Sequence, residues 1–96
     1  MIARVDGEKQ LKEKKIKQEL GKIIKNEMLN KLLADPKMVE KLFVLCETLK
    51  LYFPFKRQRI EFSNTYQYDL EGTPKELLNK GEVDKILDFL AEPTFY

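Results

Sequence analysis

The chain has 96 residues, of which 43% are apolar and 35% are charged, a size and composition that predict one small folded domain spanning residues 1–96. The sequence contains no His and one Cys, which excludes an intramolecular disulfide and the Cys/His cluster of a zinc site, so we expect neither a metal nor another cofactor. No signal-peptide core and no 18-residue uncharged stretch is found, which predicts a cytoplasmic protein that does not contact a membrane.

Charge is distributed unevenly along the chain. Residues 1–61 hold 15 Lys and Arg against 9 Asp and Glu, whereas residues 62–96 hold 3 against 7. A basic segment of this kind suits a nucleic acid or an acidic protein, and it is equally typical of a lysine-rich helix face in solvent.

A first helix is predicted to begin near Asp6-Gly7 and to extend from Glu8 to Ala34, a segment that lacks Pro and is rich in helix formers. Its first half is amphipathic, with an apolar stripe of Ile16, Leu20, Ile23 and Ile24. The opposite side carries Lys12, Lys14, Lys15, Lys22 and Lys25. Beyond Asn26 the apolar residues point in another direction, so we expect the helix either to break there or to bend around two neighbours.

A second helix is predicted from Asp35-Pro36, where Asp is a favoured N-cap and Pro a favoured first residue, to about Phe53, before Pro54. One side of this helix is apolar through Met38, Leu42, Leu45, Leu49 and Tyr52. The other side carries Phe43, Val44 and Leu51. A helix that is apolar on both sides is either central in the fold or half covered by a partner.

Residues 60–70 alternate between apolar and polar side chains, which is the pattern of β-strands. The alternating apolar residues are Ile60, Phe62, Tyr66, Tyr68 and Leu70. With Ser63-Asn64-Thr65 as the turn, a hairpin would pair Phe62 with Tyr66 and Ile60 with Tyr68. The tyrosines are then expected in the core, with Arg57, Arg59 and Glu61 on the opposite side.

Two more helices are predicted after the hairpin. Thr73 to Glu76 has the pattern of a capping box with Pro74 at the first helical position, and Gly81 is placed to end that short helix. The last helix is amphipathic through Val83, Ile86, Leu87 and Leu90, and it ends before Pro93. The predicted fold class is therefore α+β and mainly α, with about four helices and one small antiparallel β-hairpin in the order α-α-β-β-α-α.

The residue types present in the chain give little support for a catalytic function. Without His, the commonest general base is missing, and the position of Cys46 beside the apolar side of the second helix predicts a buried hydrophobic residue. The carboxylate pairs Asp69/Glu71 and Asp84/Asp88 do not have the spacing of a calcium loop, and the four glycines are isolated rather than grouped in a phosphate loop. We therefore predict that the protein is not an enzyme.

The leading functional hypothesis is a small regulatory protein, inhibitor or assembly subunit that acts by stoichiometric contact with another protein or with a second copy of itself. The first helix, if continuous, is too long for so small a domain to cover, and the Phe95-Tyr96 tail is also expected at the surface. The predicted partner-binding residues are Ile16, Leu20, Ile24, Phe43, Val44 and Leu51.

The alternative is a nucleic-acid-binding protein with little sequence preference. Its predicted binding residues are Lys12, Lys15, Lys22, Lys25, Lys56, Arg57 and Arg59. A helix-turn-helix over residues 73–91 is rejected, because its second helix would bring Glu82, Asp84 and Asp88 towards phosphates with Lys85 as the one cation.

Overall fold

Helices replace the predicted mixture of helix and strand. The computed structural model describes the backbone of residues 2–91 and the side chains of residues 10–91. Within these residues six α-helices follow one another, namely α1 (Ile2–Leu20), α2 (Asn26–Leu33), α3 (Pro36–Tyr52), α4 (Lys56–Asn64), α5 (Pro74–Asn79) and α6 (Val83–Ala91). A 3-10 turn (Tyr68–Leu70) lies between α4 and α5, and no β-strand occurs within residues 2–91. The predicted α+β class, with its order α-α-β-β-α-α, is therefore wrong.

Helix α4 occupies the place of the predicted hairpin. Its first residues, 56–61, are mostly good helix formers, and the Gln58 side chain accepts a hydrogen bond from the Phe55 backbone N–H at 3.3 Å, which satisfies a free donor at the helix start. The adjacent residues Phe62 and Ser63 are both buried, whereas adjacent side chains in a strand point to opposite faces. The apparent two-residue alternation over residues 60–70 was thus a poorer guide than the helix propensity of residues 56–61.

The predicted first helix breaks into α1 and α2, which is one of the two expected outcomes. Helix α1 begins at Ile2, before the predicted start, since a single glycine costs a helix only about 1 kcal/mol and does not by itself end it. At Gly21, where the chain leaves α1, an added Cβ would clash with the Lys17 carbonyl oxygen. The turn that follows buries Ile23 and Ile24, and α2 then directs its own apolar side to the core.

The side-chain amide of Asn79, the last residue of α5, ties α5 to this turn. Its Oδ1 accepts a hydrogen bond from the Lys25 backbone N–H at 2.7 Å, and its Nδ2 donates to the carbonyls of Ile23 at 3.1 Å and Lys75 at 2.9 Å. Lys25 immediately precedes α2, and its own side chain makes no capping hydrogen bond. Asn79 therefore supplies, from another helix, the polar contacts that the turn between α1 and α2 needs.

The predicted helix ends of α3 and α5 are confirmed. Asp35 caps α3 by accepting a hydrogen bond from the Lys37 N–H at 3.0 Å, and Thr73 caps α5 by accepting one from the Glu76 N–H at 3.1 Å. After α5, Gly81 takes a left-handed conformation with φ of 78°, and the N–H of Glu82 donates to the Leu77 carbonyl at 2.9 Å. This is the Schellman arrangement that the position of Gly81 predicted.

Helix α3 is the central element of the core, with α1, α2 and α6 packed against it. Its own buried residues are Val39, Leu42, Leu45, Cys46 and Leu49. The other helices contribute the rest of one apolar cluster, which includes Ile16, Leu20, Leu29, Leu33, Leu77, Leu78, Val83, Ile86 and Leu90. Within residues 2–91, no helix combines the length and the apolar character needed to span a lipid bilayer.

Replacing Asn79 with Ala is expected to lower the free energy of unfolding by about 1–2 kcal/mol, because the turn loses two hydrogen bonds to α5. Urea unfolding followed by circular dichroism measures the change. Asn30→Ala is the matched control, since Asn30 is exposed on α2. Equal unfolding midpoints for the two variants would contradict this role of Asn79.

Candidate functional site

Three of the six predicted partner-binding residues lie inside the chain's own core. Ile16 and Leu20 on α1, and Ile24 in the following turn, are at most 2% exposed. Helix α1 packs along α3, so its apolar stripe is covered within the chain and not by another molecule. These residues therefore do not form part of an accessible surface.

Phe43 lies at the edge between α1 and α3 and is half-buried. The ammonium groups of Lys12 and Lys15 lie 5.4 Å and 5.8 Å from the centroid of its ring, within the range of a cation–π contact. Lys12 also forms an ion pair with Glu40 at 2.7 Å. The Phe43 ring is thus partly covered by the lysines of α1.

Val44 and Leu51 lie on the outer side of α3 and are exposed. The two residues are 50% and 77% exposed, and their separation of seven positions corresponds to about two helical turns, which places both on one side of the helix. Phe55, 70% exposed, follows just beyond the end of α3. We refer to Val44, Leu51 and Phe55 as the outer α3 stripe. Between Val44 and Leu51 the helix presents Glu47, which is exposed and has no ion-pair partner among residues 10–91.

Phe55 is not among the predicted partner-binding residues, because the predicted second helix ends at about Phe53. An aromatic residue directly after Pro54, at the end of a helix with an apolar outer side, was the available signal.

The predicted nucleic-acid-binding residues divide into two groups. Lys22, Lys25, Lys56 and Arg57 are exposed, as is Lys15 beside Phe43. Lys12 and Arg59 are instead engaged within the chain, Lys12 through Glu40 and Arg59 through the contacts described next.

Arg59 connects α4 with the ends of α1 and α3. Its Nη1 donates to the carbonyls of Phe53 at 2.9 Å and Pro54 at 3.0 Å, and its Nε lies 3.2 Å from Oε2 of Glu19. The Arg59 side chain is only 12% exposed, and Lys50 approaches the other oxygen of Glu19 at 3.7 Å. This guanidinium therefore stabilises the junction of three helices and is poorly placed to meet a phosphate.

Cys46 lies close to this ionic cluster but is 2% exposed. Burial raises the pKa of its thiol to about 12, and the negative charge of Glu19 adds to the effect. A thiol with so high a pKa is a poor nucleophile. In residues 10–91 no three Cys, Asp or Glu side chains form a group that could hold a metal ion.

Tyr66 and Tyr68 are at the surface, so the prediction that they lie in the core is wrong. The rings meet edge to face with centroids 5.4 Å apart, and Tyr68 is 88% exposed. No strand directs them inward; the 3-10 turn, closed by a single bridge between Gln67 and Gly72, buries Leu70 instead. The predicted Phe95-Tyr96 tail lies outside the described residues.

Comparisons of this chain with protein-family models, with curated proteins and with solved structures find no match.

Changing Arg59 to Gln is expected to lower the free energy of unfolding by about 2 kcal/mol, because a hydrogen-bonded, largely buried cation is lost beside Glu19. Thermal and urea unfolding measure the loss. Arg57→Gln, which removes an exposed charge from the same helix, serves as the control and is expected to leave stability unchanged. The opposite ranking of the two variants would overturn the structural role of Arg59.

Cys46 is expected to react with a thiol reagent such as DTNB only when the protein opens. The increase in pKa from 9.0 to about 12 lowers the thiolate fraction at mildly alkaline pH roughly a thousandfold, and burial blocks access. The folded state holds the thiol proton more tightly than the unfolded state does. The contribution of the Cys46 thiol to the free energy of unfolding is therefore fully present below pH 9, and it is lost as the pH rises from 9 towards 12. Native labelling as fast as that of the urea-unfolded chain would contradict this assignment.

Proposed function

We propose that this chain is a non-enzymatic binding protein that acts by stoichiometric contact with a protein partner, as a regulator, inhibitor or assembly subunit does. The partner is another protein or a second copy of the chain. The observation that supports this proposal is the outer α3 stripe, whose side chains are half or more exposed although each is large and apolar. Fully burying one such side chain contributes about 1.5–3 kcal/mol, so the stripe offers binding energy that the isolated chain does not use.

The proposal moves the contact surface away from the buried half of the predicted residues. Ile16, Leu20 and Ile24 stabilise the fold, whereas Val44 and Leu51 keep the role proposed for them and Phe55 extends the surface. Phe43 contributes at the edge, next to Val44.

The charge of Glu47, beside the stripe, indicates which kind of side chain the partner must provide. Glu47 lies between Val44 and Leu51 on the same helix and forms no ion pair with a cation in residues 10–91. A partner that buries Val44 and Leu51 would also cover Glu47, and an unpaired buried carboxylate is costly. The matching surface is therefore apolar with a Lys or Arg at its centre.

A photo-reactive phenylalanine analogue at position 55 tests the proposal in the source cell. Illumination is expected to give one discrete protein adduct from position 55 and none from the same analogue at position 68, which is more exposed but outside the stripe. Adding Val44→Ser and Leu51→Ser is expected to reduce the adduct about fivefold or more, since two apolar contacts are lost.

Light scattering on the purified chain separates the two kinds of partner. A dimer that dissociates in the Val44→Ser, Leu51→Ser variant identifies a second copy, and a monomer together with a cellular adduct identifies a different protein. A monomer that gives no adduct from position 55, or an adduct unaffected by both substitutions, would overturn the proposal.

A further inference from the structure

We propose that α1 and the turn after it form a second binding site, for the sugar-phosphate backbone of a nucleic acid. The site consists of Lys14, Lys15, Lys17, Lys22 and Lys25, which we call the basic surface. All five side chains are exposed. This surface differs from the outer α3 stripe and does not depend on the protein-binding proposal.

The packing of α1 determines which of its residues are available. Its apolar stripe is held against α3, so the opposite side faces solvent. The residues that line a shallow depression on that side all belong to α1 and are Gln10, Glu13, Lys14, Lys17 and Gln18. No other described element contributes to this depression, so an elongated ligand has access along the helix.

The positive charge of the basic surface is not neutralised by the rest of the described chain. Residues 14–25 contain five Lys and one acidic residue, Glu19, which faces inward to Arg59 and Lys50. None of the five lysines forms an ion pair with an acidic residue in the range 10–91. Glu13 lines the depression together with Lys14 and Lys17 and is half-buried, so the depression keeps a net positive charge.

The composition of the surface favours a nucleic acid over the other anionic ligands. A helix that lies on an anionic membrane needs an apolar side for the lipid. Within residues 10–20 of α1, Ile16 and Leu20 are buried in the core and Leu11 is the one exposed large apolar side chain, which is too little for such a side. The central parts of protein interfaces are depleted in Lys. Lysine and glutamine both donate to phosphate oxygens, and a surface of lysines without arginines predicts affinity with little base recognition.

The residues of the basic surface differ from the nucleic-acid-binding residues that the sequence predicted. Lys12 and Arg59 are engaged with Glu40 and Glu19, so they leave the set, and Lys14 and Lys17 enter it because they share the outer side of α1. Lys56 and Arg57 lie on α4 and are not needed for the site.

Fluorescence anisotropy with labelled single-stranded DNA, duplex DNA and single-stranded RNA tests this proposal. The test variant carries Lys14→Gln, Lys17→Gln and Lys22→Gln. The matched control carries Lys75→Gln, Lys80→Gln and Lys85→Gln, which removes the same charge from exposed positions on the side of α5 and α6. Lys15 stays in place because its contact with Phe43 contributes to packing.

At about 50 mM salt the test variant is expected to bind at least one of these nucleic acids roughly thirtyfold more weakly than the native chain. The control is expected to change affinity less than about threefold. Because each lost phosphate contact lowers the dependence of log K on log salt by about 0.7–0.9, the loss of three lysines should reduce the slope by about 2–3. Unfolding curves of both variants verify that the fold is intact.

Three results would overturn the proposal. One is the absence of binding to all three nucleic acids at about 50 mM salt, where backbone contacts are strong. Another is an equal loss of affinity in the test and control variants, which would reflect net charge alone. The last is binding to vesicles of an anionic phospholipid without binding to any nucleic acid, which would assign the lysines to a membrane surface.

Discussion

The packing of α1, α2 and α6 around α3 is the constraint from which the rest of the structure follows. Helices as short as α2 and α6 are not stable alone in water, so their apolar sides must be covered by a neighbour. Helix α3 supplies that cover with an apolar arc formed by Val39, Leu42, Leu45, Cys46 and Leu49. Because the apolar stripe of α1 packs against this arc, the opposite side of α1 is exposed, and lysines occupy that side. The outer side of α3 is left over in the same way, with Val44 and Leu51 upon it. Both candidate surfaces are therefore what the packing leaves uncovered.

Helix α4 depends on polar and aromatic contacts as well as on its few buried residues, and α5 adds a polar contact to the packing of Leu77 and Leu78 in the main core. In α4 the buried residues are Phe62 and Ser63, which is little apolar area for holding a helix in place. The Phe62 ring stacks on Phe53, with centroids 4.8 Å apart, and Arg59 adds its bonds to the end of α3. Asn79 does the equivalent for α5 by bonding the turn between α1 and α2. The hydrogen bonds of Arg59 and Asn79 join elements that are distant in sequence, and each of these two side chains has several donors or acceptors.

The parts of the fold that sequence predicted correctly are those decided by nearby residues. Asp35-Pro36, Thr73-Pro74 and Gly81 mark helix ends because the capping bonds join residues two to five positions apart. The hairpin failed because alternation over residues 60–70 depends on which neighbour covers each side chain, and a short alternating pattern does not contain that information. The same limit applies to the site. A helical wheel identified the apolar stripe of α1 but not the molecule that covers it, so Ile16 and Leu20 were assigned to a partner although α3 buries them.

Phe43 is the point where the two candidate surfaces meet. Lys12 and Lys15 of α1 lie over its ring, and the next residue along α3, Val44, belongs to the stripe. A protein that covers Val44 would also desolvate the edge of this cluster, where Lys12 is already paired with Glu40. Lys15 is the one lysine of the basic surface that such a partner would reach through Phe43, because Lys14 and Lys17 lie on the outer side of α1. Interactions between exposed charges fade over about 8–10 Å at physiological salt. Coupling between the two surfaces is therefore expected to be strongest at Lys15, which contacts Phe43, and weaker at Lys14 and Lys17, which line the other side of α1.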